Sequence, residues 1–238
     1  MKVEGKNAVK ELFASNSRVE KILIQQNLKQ ELDNIVYLAK RKNTKIIYAP
    51  KDVLDKESTA KNHQGVIAYI NGYVYGTIDD MFDLAKKKNE QPFLVLVDEV
   101  SDPHNLGSLI RSCECAGVHG IIIPKNRACQ VNDTVIKVST GACFNMNIAC
   151  VNNLNECIKE LKERGVWVYS LEADGESMYS TDLTGSTALV VGSEGFGVSK
   201  LTKKLSDGIL SLPMQGKINS LNASVAGGIA IYEVLRQR

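Results

Sequence analysis

The sequence predicts an α/β fold: a parallel sheet covered on both faces, preceded by a smaller α/β unit. Three observations lead there. From Phe93 onward short apolar runs recur, "FLVLV", "GIIIP", "VWVYSL", "ALVVG" and "GILSLP". Strands buried on both faces read as such continuous runs, not as alternation. Between several of them lie helical spacings, Leu106, Leu109, Ile110 and Cys113, then Leu154, Cys157, Ile158 and Leu161, and alternating strands and helices build a parallel sheet. The chain has 238 residues, 44% of them hydrophobic, enough for one large domain or two modest ones.

The first 72 residues alternate in the same way on a smaller scale. "NAVKELFAS" has helical periodicity, "VEKILIQ" is extended, "LKQELDNIVYLAKRK" is helical and "TKIIYAP" extended; "KDVLDKES" is a short helix and "QGVIAYI" a strand. Residues 73–91, "YVYGTIDDMFDLAKKKNEQ", mix a glycine, acids and a lysine run. They read as a linker plus a helix that can belong to the next domain. Further on, "VIKVS" alternates apolar and polar residues, and Thr140 and Gly141 follow it. Helical spacing returns from Ala223 through Ile229 to Leu235, with Gly227 and Gly228 side by side. Two glycines inside a helix cost roughly 1 kcal/mol each relative to alanine, so close packing or a ligand must offset them.

Composition excludes several classes. No run of about 18 apolar residues exists, so no membrane span is expected. The N-terminus "MKVEGKNAVKELF" lacks a signal-peptide core, and a cytoplasmic protein is expected. The six cysteines, 113, 115, 129, 143, 150 and 157, form no C-x-x-C pair, and there are three histidines. Zinc is poorly supported, and buried, reduced thiols are the expectation. Residues 1–72 carry 13 lysines and arginines against 8 acids, the remainder 16 against 19. A basic front half suits nucleic acid, although solvated helix faces give the same count.

In open parallel sheets ligands bind at the carboxyl ends of the strands. Three conspicuous stretches follow strands: "DEVSDPHNLGSLIRSCECAG", "GSEGFGVS" and "MQGKINSLNAS". In the first, Asp102-Pro103 favours a turn and Asn105 is a candidate helix cap. Arg111 falls within the following helix, off its apolar stripe. It is either a surface salt-bridge partner or a fork of donors for phosphate or a developing alkoxide. In the second, glycines 192, 195 and 197 run G-x-x-G-x-G, not in the dinucleotide order. Glu194 among them is either a cap for neighbouring N–H groups or a ligand contact. In the third, Ser220 and Asn222 stand at a helix start, where either is a good cap.

Taken together, "DPHNLGSLIRS", "LVVGSEGFGVS" and "LPMQGKINSLNASVAGGIAIYEVLR" resemble, in order and spacing, the three motifs of the SpoU-type (TrmH-type) RNA ribose 2'-O-methyltransferases of the SPOUT superfamily. The resemblance covers roughly residues 93–238. It is strongest to the branch that methylates guanosine in 23S ribosomal RNA, with the transfer RNA branch sharing the motifs. The front half resembles the family's small, ribosomal-protein-like substrate-binding domain. The resemblance implies domains at 1–72 and 92–238 joined by 73–91. It also implies a C-terminal trefoil knot, S-adenosylmethionine as methyl donor, no metal, and a homodimer through the knot region. By position it makes Asn105, Arg111, Glu194, Ser220 and Asn222 the catalytic set, and Gly192, Leu212 and Leu221 cofactor-binding, with Thr140 and Gly141 near the same pocket. Two other classes compete. A non-catalytic RNA-binding module would not need all five polar residues. A nicotinamide-dependent oxidoreductase would need the fingerprint that is missing.

Overall fold

The structure is a computed structural model and describes residues 1–58 and 62–238. The chain runs β1 (Lys2–Glu4), α1 (Lys6–Ala14), β2 (Val19–Gln25), α2 (Asp33–Arg41), β3 (Lys45–Ala49), α3 (Lys51–Glu57) and β4 (Val66–Ile70). It continues with α4 (Ile78–Lys88), β5 (Phe93–Val97), α5 (Pro103–Cys115), β6 (Gly120–Pro124), α6 (Asp133–Val138), β7 (Ile148–Val151) and α7 (Leu154–Glu163). The last elements are β8 (Trp167–Ser177), β9 (Thr187–Val191), α8 (Lys200–Leu205), β10 (Gly208–Ser211) and α9 (Ala223–Gln237).

Two compact units result, one of residues 1–74 with 131–145, the other of 75–130 with 146–238. The boundary between the units falls after Val74, at the start of the stretch 73–91. The helix in that stretch, α4, belongs to the second unit, where Met81 and Ala85 are buried. Its start is fixed by a capping box in which Thr77 and Asp80 bond each other's backbone N–H groups.

The first unit is a four-stranded sheet in the order β1-β4-β2-β3. β4 runs antiparallel to both neighbours, and β2 and β3 are parallel. Segment 131–145 joins this unit. The alternation in "VIKVS" is overridden there, because Asn132 accepts a hydrogen bond from the Val135 N–H at 3.0 Å and starts α6. The helical reading of "LKQELDNIVYLAKRK" is also shortened: α2 begins only at Asp33, after two single turns of 3₁₀ helix at 26–28 and 30–32.

The second unit is a six-stranded, wholly parallel sheet in the order β10-β8-β9-β5-β6-β7. Every residue of β5, β6 and β9 is buried, as their unbroken apolar runs require. Each large aliphatic side chain so buried contributes about 1.5–3 kcal/mol. From β5 the chain builds outward to β7, then crosses to β8 and returns to insert β9 beside β5. The order therefore reverses between β5 and β9, and in such sheets the reversal opens a crevice at the carboxyl ends. Helices α5 and α9 pack together beside it. A Cβ on Gly227 of α9 would stand 2.5 Å from Leu109 Cδ2 of α5, so close packing is what offsets that glycine. Gly228 is looser, with Ser112 Oγ at 3.6 Å from its virtual Cβ.

Cys113, Cys143 and Cys157 are buried, and loss of solvent pushes the Cys143 and Cys157 thiols up to about 12. The expectation of buried thiols fails for Cys115, which is exposed, and holds only halfway for Cys129 and Cys150. Among the described residues no helix is long and apolar enough to cross a membrane, and no group of three or more His, Cys, Asp or Glu is placed to hold a metal ion.

Candidate active site

The crevice predicted by the strand order is walled by the segments that follow β9 and β10. After β9 the backbone makes a tight closed loop. Ser193 N–H donates to the Gly197 carbonyl at 3.1 Å, and Gly197 N–H returns to Ser193 at 2.9 Å. Gly192 lies flat against this closure: a Cβ there would stand 2.2 Å from the Gly197 carbonyl carbon. Gly197 has φ +64, a conformation that L side chains rarely adopt. The loop is pinned by Glu172, midway along β8, which accepts the Val198 N–H at 2.6 Å. Asp98, directly after β5, accepts the Ser199 N–H at 2.8 Å.

Two helix starts converge on the loop. Asp102, not Asn105, caps α5: its carboxylate accepts the His104 N–H at 2.9 Å, with Pro103 at the first helical position. Asn105 sits inside the first turn, is buried, and so has its amide free for tertiary use. That amide donates to Glu194 Oε1 at 2.8 Å. Asn222 caps α9, its Oδ1 accepting the Ser224 and Val225 N–H groups at 2.9 and 3.2 Å. Its Nδ2 is thereby turned outward and donates to Asn105 Oδ1 at 3.0 Å and also to Glu194 Oε1. One exposed carboxylate is thus held by two amides from two helix starts, and hydrogen bonds to an ionised acceptor are the stronger kind.

Beside Glu194 lies a cleft of about 330 Å³, within the range of small-molecule sites. Gly192, Glu194, Leu212, Ser220 and Leu221 line it, as do the small residues Ala173, Ala223 and Ala226. The charged side chains on its wall are Glu172 and Glu194, both acidic.

Two expectations are not met. Thr140 and Gly141 do not line the cleft and belong to the first unit. They form the left-handed end of α6, and Gly141 packs on α1, where a Cβ would stand 2.8 Å from Ala8 Cα. Arg111 does not join the amide–carboxylate cluster. It is exposed and has no hydrogen bond or ion pair with a described residue. It lies six residues beyond Asn105, about 9 Å along the axis and on a different face. In the other direction, Glu172 and Asp98 were not anticipated. Their signal was present: each is an acid that directly ends an apolar strand run, "FLVLVD" and "VWVYSLE".

Comparison with known proteins shows the family. Residues 92–232 match the SpoU rRNA methylase family, and residues 2–76 match the RNA 2'-O ribose methyltransferase substrate-binding family. The chain is 44% identical to YacO of Bacillus subtilis, assigned to the TrmH family of tRNA/rRNA methyltransferases, over 99% of this chain and 95% of that one. A Staphylococcus haemolyticus protein of the same family is 41% identical over 99% and 95%. Among solved structures, the SpoU methyltransferase AviRb of Streptomyces viridochromogenes, in complex with AdoMet, superposes with a TM-score of 0.85 at 25% identity, covering 100% of this chain and 90% of that one. The chain belongs to the SpoU (TrmH-type) family of RNA methyltransferases.

Proposed function

We propose that this enzyme transfers a methyl group from S-adenosylmethionine to the ribose 2'-hydroxyl of a guanosine in 23S ribosomal RNA and works as a homodimer. The observation that carries the reading is the Asn105–Glu194–Asn222 cluster at the edge of an acidic, small-residue cleft. S-adenosylmethionine, when bound, supplies an electrophilic methyl on a sulfonium sulfur. The cleft fits such a cation, since Glu194 is its exposed charged wall, Glu172 being engaged by the Val198 N–H and by Lys203 at 3.6 Å, and the flat Gly192 backbone and small alanines leave room for a planar ring. Gly192, Leu212 and Leu221 are the cofactor-holding positions in this reading. The segment between β10 and α9 is the part we assign to the trefoil knot.

The ribose 2'-hydroxyl is a poor nucleophile until its proton leaves, and in this reading that proton passes to solvent at the open mouth of the cleft as the oxygen–methyl bond forms and the sulfur–methyl bond breaks. Glu194, fixed by two amides, and Ser220 beside it orient that hydroxyl, and orientation alone supplies several kcal/mol of a barrier. A guanidinium is not deprotonated in proteins, so Arg111 grips the adjoining phosphate and stabilises developing alkoxide charge. No described residue of its own chain engages it, which leaves its donors for RNA. On α9, Val225, Ile229, Tyr232 and Leu235 form an exposed apolar stripe at helical spacing, which a second copy would cover. Because α5 packs alongside α9, Arg111 then serves the cleft of the second copy.

The test is methyl transfer from labelled S-adenosylmethionine to unmodified RNA, followed by sizing and digestion to nucleosides. Label in large ribosomal RNA, recovered as 2'-O-methylguanosine, is the expected result. Label in transfer RNA would reassign the substrate, a reading that the tRNA/rRNA naming of the relatives keeps open. RNA binding with no label on any RNA would make the chain a non-catalytic module. Sedimentation of the wild type and of Ile229→Asp tests the dimer, and a wild-type monomer would refute it.

A further inference from the structure

Phe196 sits at the tip of the loop after β9, two residues from Glu194, and lines the cleft while 90% exposed. A phenyl ring left in water forfeits its burial energy, and a loose loop would fold it onto the core. This loop cannot. Its ends are bonded to each other through Ser193 and Gly197, the Gly192 backbone is packed against the closure, and Glu172 holds the Val198 N–H. The ring is therefore displayed on a rigid mount. The space next to it is open, since a Cβ on Gly195 would meet nothing within 4 Å.

We propose that Phe196 is the stacking platform for the base of the target nucleotide. The inference rests on the methyltransferase reading above and adds a positioning residue to it. A nucleotide whose 2'-hydroxyl reaches Glu194 has its base one glycosidic bond away, at the mouth of the cleft where Phe196 stands. Unpaired RNA bases are commonly held on aromatic faces, and stacking tolerates any base because each has a π-face. Phe196 thus holds the nucleotide without reading its identity, and other contacts choose guanosine.

The experiment is steady-state methyl transfer by Phe196→Leu, Phe196→Tyr and Phe196→Trp on unmodified transcripts of large-subunit ribosomal RNA and of transfer RNA. Cofactor affinity by calorimetry and sedimentation are measured on the same proteins. Leucine keeps an apolar side chain without a π-face and is expected to lower kcat/KM for RNA about 10- to 100-fold. Tyrosine and tryptophan retain most of the activity, while cofactor affinity and sedimentation stay unchanged. A leucine variant as active as wild type overturns the proposal. So does one that weakens S-adenosylmethionine binding, which would place the ring on the cofactor, or one that shifts sedimentation, which would place it in the dimer contact. A wild type that methylates neither RNA fails the methyltransferase reading itself; an active wild type with an indifferent leucine variant fails only the stacking role.

Discussion

The two ends of the six-stranded sheet each carry a polar cluster and a hollow, and they differ in how much bonding capacity is left unused. At the amino ends of the strands, His119 is buried with both ring nitrogens in use: Nδ1 accepts the Phe93 N–H at 3.0 Å, so Nε2 carries the proton and donates to Glu90 at 3.0 Å. Arg238 donates to the carbonyls of Gln91, Pro92 and Gly185 at 2.8, 3.2 and 2.6 Å and lies 4.9 Å from the Phe93 ring centroid. The adjoining hollow is about 720 Å³, larger than the 330 Å³ cleft at the carboxyl ends. Size alone would therefore select the amino end. At the carboxyl ends Glu194 is exposed with lone pairs to spare, and further along α5 Arg111 is exposed with no hydrogen bond or ion pair to any described residue. Unspent bonding capacity on a rigid frame separates a site from a brace.

The sharpest test exchanges the two arginines. Arg111→Ala is expected to lower turnover about 10²–10³-fold, the usual cost of one donor to a developing oxyanion, while stability moves by less than about 0.5 kcal/mol, as for an unengaged surface residue. Arg111→Lys keeps charge without the fork and restores only part of the activity. Arg238→Ala should do the opposite, lowering Tm while leaving turnover per folded molecule intact. Turnover and thermal melts on the same preparations decide it, and equal turnover in Arg111→Lys and wild type would remove the phosphate-grip role.

Gly192→Ala asks whether the carboxyl-end frame must be as tight as it is. The added methyl meets loop backbone at 2.2 Å, so the loop has to shift, at about 1–3 kcal/mol as for other overpacking. Affinity for S-adenosylmethionine should fall on the order of 10-fold, read by calorimetry. Unchanged affinity would show that the loop does not shape the cofactor site.

Asn222 carries both a brace and a site function, and two substitutions separate them. Asn222→Ser keeps an oxygen to cap α9, whereas Asn222→Ala removes the cap at about 1 kcal/mol. Both lose the amide held by Asn105 and Glu194. Equal losses of turnover with a lower Tm only for alanine are expected. Activity that tracks Tm instead would reduce Asn222 to a cap.

Much of this was legible in the residues. Continuous apolar runs marked five strands of the parallel sheet; burial on both faces accounts for β5, β6 and β9, while β8 and β10 are partly exposed. Strand β7, "IACV", was missed, being short and half-buried at the sheet edge. The convergence of Glu194, Ser220, Gly192, Leu212 and Leu221 on one cleft was anticipated through motif order. What sequence could not give was tertiary pairing. The capping role expected of Asn105 belongs to Asp102, because Pro103 sets the first helical position; Asn105 is thereby released to Glu194, 89 positions away. Thr140 and Gly141 went to the wrong unit because nothing local reveals that 131–145 folds back onto the first.

The smallest expected effect tests the amino-end brace through pH. Burial holds the His119 imidazole below its ordinary value, with Lys88 and Arg238 acting in the same direction and the Glu90 hydrogen bond opposing. The unfolded chain takes up that proton near pH 6.5, and the folded chain only at lower pH. Between the two values the unfolded state binds more protons, so stability falls as pH falls. The contribution is complete above about pH 6.5 and is lost on acidification until the folded value is passed. His119→Gln can still accept from Phe93 and donate to Glu90, but cannot titrate. Its Tm should decline less between pH 7 and pH 5 than that of wild type, whatever its offset at neutral pH. Its turnover at neutral pH, measured well below Tm, should match wild type, since the residue stands at the opposite end of the strands from Glu194. Parallel Tm curves would mean that His119 is not protonated on unfolding in this range. A loss of turnover at unchanged fold would mean that the amino end is more than a brace.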